Sequence, residues 1–201
     1  MEHVLDVKKL VNELTLEEKA SLCSGADFWH TKAIDRLNIP AAMVSDGPHG
    51  IRKQESLADH MGVAESIKAI GFPTASAMAC SFDRDLLHKV GDALGEECVA
   101  EDLAVLLGPG INMKRSPICG RNFEYYSEDG FIAGKLAASV VQGSNKYGVY
   151  AYIKHFALND QETDRWYKNS MWCNEQTIRE IYLKPFETAV KGACNSSDVF
   201  L

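Results

Sequence analysis

Between Ala41 and Val190 the sequence switches repeatedly between two periods, and that alternation limits the folds open to it. Ala41-Ala42-Met43-Val44-Ser45 is a short apolar run of strand length. Phe72 to Ala79, Leu103 to Leu107 and Val149 to Ile153 read the same way. Helical spacing lies between and after these runs. Asp83 stands as an N-cap before Leu86, Leu87, Val90, Leu94 and Cys98, which share one stripe. Phe131 to Gln142 is expected to be helical, with Gly143 as its stop. Asn174 opens a further helix with Ile178, Ile181, Tyr182, Phe186 and Val190 on one face and a kink at Pro185. Parallel strands need crossovers, which helices supply, so strand then helix, repeated, predicts a parallel α/β architecture. Two short N-terminal helices precede the alternation. Asp6 caps the first, which carries Val7, Leu10, Val11 and Leu14; Thr15-Leu16-Glu17-Glu18 has the form of a capping box for the second, and Gly25 can end it.

Polar residues gather just past the predicted strands. Asp46 follows the first, the charged loop Asn112 to Asp129 follows the Leu103 to Leu107 run, and Lys154-His155 ends the last. Taken singly, such residues are ordinary solvated loop positions. Together, beside tight Gly-Pro turns, they point to one shared site at the carboxyl ends of the strands, where α/β barrels collect their functional groups.

Composition removes several classes. The chain of 201 residues carries 28 acidic and 21 basic side chains, net −7. Phosphate-rich partners need a basic surface, so neither nucleic acid nor an anionic membrane is the expected partner. No apolar run reaches membrane-spanning length, and Met1 to Lys9 lacks the apolar core of a signal peptide, which reads as a cytoplasmic protein. Six cysteines (Cys23, Cys80, Cys98, Cys119, Cys173, Cys194) are scattered without zinc-ligand or disulfide spacing, so free thiols, no metal and no cofactor are expected. Asn195-Ser196-Ser197 is a glycosylation sequon that means little without a secretory signal. No G-x-G-x-x-G or Walker lysine follows a strand, which argues against a nucleotide-binding enzyme: Gly108-Pro109-Gly110 continues as Ile-Asn-Met.

Four segments are more specific than composition. They are Val44-Ser45-Asp46-Gly47-Pro48-His49-Gly50-Ile51-Arg52; Leu107-Gly108-Pro109-Gly110-Ile111-Asn112, running to Lys114-Arg115-Ser116-Pro117; Gly120-Arg121-Asn122-Phe123-Glu124-Tyr125-Tyr126-Ser127-Glu128-Asp129; and Lys154-His155-Phe156-Ala157-Leu158-Asn159, continuing to Gln161-Glu162 and Arg165. In this order and spacing they resemble the N-terminal barrel domain of glycoside hydrolase family 3, which includes many bacterial β-glucosidases. The resemblance spans roughly Leu5 to Val190. It implies that residues 1–201 form part of a TIM-type (β/α)8 barrel, about the first half, preceded by the N-terminal helices, with an atypical tail at 192–201. It also implies retaining, β-glucosidase-like hydrolysis of O-glycosyl bonds, acting on a β-linked glucoside or related small saccharide.

Carried over by position, Asp46 resembles the carboxylate that accepts hydrogen bonds from two ring hydroxyls; an Asx-turn opening the Gly47-Pro48 bend is its bland alternative. Arg121 resembles a sugar-contacting arginine, with pairing to Glu124 or Glu128 as its alternative. Lys154 and His155 resemble adjacent donors to hydroxyls, although neighbours on a strand point to opposite faces, so the strand must end or bend there. Arg165 matches a further family arginine; Arg52, Arg115 and Glu162 read as charges bracing loops. In the family the nucleophile lies downstream in a Ser-Asp-Trp-like segment, and the acid/base lies in a second α/β domain. Ser197-Asp198 comes too early and lacks the aromatic. The expectation is therefore a truncated chain that supplies sugar contacts but no catalytic residue, with a missing C-terminal half or self-association covering its open edges. The competing expectation, of a different class, is a catalytically inactive sugar-binding or scaffold fragment.

Overall fold

The structure, a computed structural model, describes residues 6–54, 65–193 and 199–200. The Asn195 sequon, Cys194 and Ser197-Asp198 lie outside the described residues.

The N-terminal helices form as the sequence predicts. Asp6 accepts from the Lys9 N–H (3.0 Å) to start α1, Val7–Glu13. The Thr15–Glu18 capping box closes reciprocally at the start of α2, Leu16–Leu22, satisfying two end groups that lack helical partners. Gly25 is not the stop: α2 ends at Leu22, and Gly25 bridges to Thr31. Of the first helix's apolar stripe, Leu14 is buried whereas Val7 and Val11 are exposed.

Among the described residues, four short strands form one parallel sheet in sequential order: β1 (Val44–Asp46), β2 (Val105–Leu107), β3 (Tyr150–Tyr152) and β4 (Val199–Phe200). The central residues Ser45, Leu106 and Ala151 are all buried. Because a strand alternates faces at every residue, Val44 and Asp46 lie on the opposite face from Ser45. Asp46 registers with Leu107, so the chain leaves β1 and β2 on the same edge.

Phe72 to Ala79 is not a strand. Thr74 accepts from the Ala77 N–H and starts a short helix, α3 (Ala75–Ala79). The capping hydroxyl and the run of small helix-tolerant residues outweigh the apolar character that suggested a strand. The helix after Asp83 is α4 (Arg84–Ala100); Leu87, Leu94 and Cys98 are buried, while Leu86 at the predicted stripe's margin is exposed. The next, α5, runs Gly130–Asn145 and passes through Gly143. After Asn174 come a short turn α6 (Glu175–Thr177), a π-helical turn Ile178–Tyr182 and α7 (Lys184–Ala193). The π turn shifts the helical phase, so Tyr182 and Phe186 are buried but Ile181 is exposed.

Gly143 serves packing. A Cβ on it would lie 2.3 Å from the His88 carbonyl oxygen, and one on Gly91 2.0 Å from that of Val140. These glycines let the α4 and α5 backbones touch. Gly143→Ala is expected to destabilise the protein by about 1–3 kcal/mol or more in chemical denaturation, since rigid backbone cannot yield to an added methyl. Gly71→Ala, with open space around its Cβ, is expected to be near neutral. Equal effects would place the helices farther apart.

Candidate functional site

The parallel strands deliver Asp46 and Lys154 to the same edge, and the loops then close on each other. Past β2, the Ile111 N–H donates to the Lys154 carbonyl (2.8 Å), and the Lys154 N–H to that of Pro109 (3.0 Å). Gly110 also bridges to Tyr125, drawing in the 3₁₀ turn Asn122–Glu124. The strand ends at Tyr152, and the Lys154–His155 peptide beyond it is cis. Lys154 and His155 thus lie past the strand, where its alternation no longer applies, and both side chains join one network.

The result is a linear chain of charges of alternating sign. Arg52 lies 3.8 Å from Asp46, whose Oδ1 accepts from Lys154 Nζ at 2.6 Å. Lys154 is 3.9 Å from Glu124, which pairs closely with Arg121 Nε. Arg121 reaches Glu162 at 3.5 Å, and Glu162 accepts from Arg165 at 3.1 Å. Exposed pairs of this kind contribute little, but Lys154 and Glu124 are only 12% and 7% exposed, so their charges need each other. Burial pushes the Asp46 carboxyl upward, but the Lys154 ammonium, with Arg52 and the Gly47 N–H, overrides it and holds the pKa below the usual carboxylate value.

His155 sits beside this chain as a neutral ring. Burial, reinforced by the Arg121 and Lys154 cations, lowers its pKa to about 3. Arg121 Nη2 lies 2.7 Å from Nε2, and Tyr125 Oη 3.1 Å from Nδ1. Asn112 holds its backbone, accepting from the N–H at 2.6 Å and donating to the C=O at 2.9 Å.

All five predicted residues, Asp46, Arg121, Lys154, His155 and Arg165, therefore belong to one connected network. Arg121 does pair with Glu124, the alternative the sequence left open, and the pair is part of the site. Glu162 links two of the arginines, and Arg115 instead contacts the Tyr182 hydroxyl. The sequence reading gave no site role to Glu124, Asn112 or Tyr125. Asn112 follows the Gly108-Pro109-Gly110 turn, and Glu124 stands three residues after Arg121; those positions are the signals that could have found them.

Two clefts flank the network. One, of about 390 Å³, is lined by Asp46, His49, Arg52, Ile70, Phe123 and Glu124. The other, of about 490 Å³, includes Arg115, Asp160, Glu162, Met171 and Trp172. Both fall in the range of small-molecule sites. Asp160 is buried with one carboxylate oxygen unpartnered, and burial raises its pKa. Among the described residues no cluster of potential metal ligands occurs, no helix is long and apolar enough to cross a membrane, and Cys23, Cys80, Cys98, Cys119 and Cys173 are free thiols.

Carboxylates and cations ranked at the carboxyl edge of a parallel sheet, beside two clefts of small-molecule size, place the chain among α/β proteins with a charged strand-end edge. Comparison with known proteins identifies which kind. The model of the glycosyl hydrolase family 3 N-terminal domain matches residues 11–199, and the chain belongs to that family. Over 189 residues, 94% of the chain, it is 54% identical to thermostable beta-glucosidase B of Acetivibrio thermocellus, of which it covers 25%. It is 47% identical over 184 residues, 91% of the chain, to an exo-alpha-(1->6)-L-arabinopyranosidase of Bifidobacterium longum, of which it covers 24%. The crystal structure of a beta-glucosidase from Kluyveromyces marxianus in complex with glucose superposes with a TM-score of 0.87 at 45% identity, over 97% of this chain and 22% of that one. The chain thus spans about a quarter of the length of these relatives.

Proposed function

We propose that this chain supplies the sugar-gripping part of a retaining β-glycosidase active site, β-glucosidase-like, with its sheet forming an arc of a (β/α)8 barrel. The observation that carries the reading is the Asp46–Lys154 pair at the sheet edge, continued through Glu124 to Arg121. Asp46 accepts from ring hydroxyls, while Lys154, Arg121 and Arg165 donate to hydroxyl oxygens. Such contacts accelerate hydrolysis when they tighten in the oxocarbenium-like transition state. The solved glucose complex of a relative supports a saccharide as the ligand. Relatives of 54% and 47% identity are named for different glycosides, so these contacts suit features common to pyranosides and do not select one sugar.

The two reacting carboxyl groups are not assigned to this segment. Asp46, Glu124 and Glu162 each face a cation within 4.0 Å. A general acid must hold its proton near neutral pH, and for Asp46 the Lys154 ammonium works against that by lowering its pKa. The purified chain is expected to release no more phenolate from an aryl β-glucoside than a buffer blank. Exchanged for the matching quarter of the Acetivibrio thermocellus enzyme, it is expected to restore hydrolysis. A folded chimera without activity overturns the proposal. Turnover by the chain alone that Asp160→Asn or Asp198→Ala abolishes would relocate the chemistry.

A further inference from the structure

We infer that Asn112 and Arg121, on opposite sides of the His155 ring, fix it as the Nδ1–H tautomer, so that His155 meets a sugar by accepting a hydroxyl proton at Nε2. The acceptor role rests on the sugar-site reading above; the tautomer does not.

Two neighbours require the same proton position, and a third accommodates it. The Asn112 amide, buried within the loop after β2, has its orientation set by the backbone: Nδ2 must donate to the His155 carbonyl (2.9 Å), so Oδ1 faces the His155 N–H (2.6 Å). That same oxygen lies 3.2 Å from Nδ1, and an acceptor there calls for a hydrogen on Nδ1. The Tyr125 hydroxyl, 3.1 Å from Nδ1, suits this proton position: it can accept from Nδ1–H while donating to the Asn159 carbonyl (3.3 Å). Across the ring, Arg121 Nη2 is 2.7 Å from Nε2. A guanidinium only donates, so Nε2 must offer its lone pair. Of the charges that act most strongly on the ring, the Arg121, Lys154 and Arg165 cations oppose a second proton and Asp46 favours it, while Glu124 and Glu162 are paired with Arg121.

The consequence for recognition is specific. A neutral ring with its only N–H turned into the protein cannot donate to a sugar, contrary to the donor role that the family resemblance implied for His155. A hydroxyl entering between Nε2 and Nη2 would donate to the first and accept from the second, leaving both satisfied. The ligand class is a sugar with a free hydroxyl at that position.

The test is long-range ¹H–¹⁵N correlation spectroscopy of the histidine rings in the full ¹⁵N-labelled chain, with His155→Gln to assign the signal. The expected result is a protonated, pyrrole-type Nδ1 and a bare, pyridine-type Nε2 from pH 8 to 5. Asn112→Asp gives up the donor to the His155 carbonyl but keeps an acceptor toward the backbone N–H and Nδ1 and adds a negative charge; it is expected to keep the tautomer and raise the pH at which the ring titrates. An Nε2–H tautomer, a mixture, or a doubly protonated ring above pH 5 overturns the lock, as does an Asn112→Asp ring that titrates unchanged. D-Glucose is expected to move the Nε2 signal while it stays pyridine-type. Conversion to pyrrole-type would make His155 a donor and overturn the acceptor role. An unmoved Nε2 in a locked ring would overturn the sugar reading and leave the tautomer standing.

Discussion

In the active chimera, Asp46→Asn is expected to lower kcat/KM by roughly a hundredfold, while Arg52→Lys changes it by less than about threefold. Hydrogen bonds to a charged group contribute about 1.5–3 kcal/mol each. Exchanging the charged acceptor for a neutral amide costs each of two hydroxyls about 1–1.5 kcal/mol, about 2–3 kcal/mol together, and about 1.4 kcal/mol is tenfold in rate. Asparagine keeps the shape but cannot balance the Lys154 ammonium, which is 2.6 Å away and 12% exposed. Arg52 differs. It lies 3.8 Å from Asp46 at 47% exposure, where solvent screens the pair and lysine can replace it. Equal, small losses in both variants would show that Asp46 only shapes the Gly47-Pro48 turn.

Acid is expected to destabilise the chain well before its carboxylates titrate. His155 is held neutral, with its pKa lowered to about 3, and burial lowers that of His49 as well. A base whose pKa is depressed by folding binds its proton only in the unfolded chain. The unfolded state is therefore favoured as pH falls below its histidine value of about 6.5, at up to about 1.4 kcal/mol per pH unit for each such ring and less where solvent reaches it. Asp46 adds to this lower down. Its folded pKa is depressed, so its contribution is present above the unfolded value and is lost as pH falls through the folded one. Urea unfolding between pH 6 and 4 is expected to show this slope, and His155→Gln to make it shallower. An unchanged slope in that variant would mean that His155 is protonated in the fold.

The parts of the site carried on strand ends were legible in the sequence. Asp46 and Lys154 follow apolar runs of strand length, and parallel strands must release their chains at one edge, so convergence followed from the alternation alone. Glu124 and Asn112 were not legible as site residues because their partners are tertiary. Glu124 meets Lys154 thirty residues away only after Gly110 bridges to both Tyr125 and Lys154. The helical errors have local causes. At Thr74 a side-chain cap turned an apolar run into a helix, and at Gly143 the missing side chain marked a helix–helix contact where a terminus was expected. After Thr177 a π turn changed the phase on which the predicted apolar stripe depended.

The central claim, that the charge chain running from Asp46 through Lys154 and Arg121 to Arg165 is a sugar site, is tested most directly by titrating the ¹⁵N-labelled chain with D-glucose and following its backbone amides. The account predicts saturable shifts centred on Gly47, Arg121 and His155, abolished by Asp46→Asn while the spectrum stays that of a folded protein. Shifts confined to the Asp160–Trp172 cleft, or a folded chain whose Gly47, Arg121 and His155 amides do not respond, would contradict it.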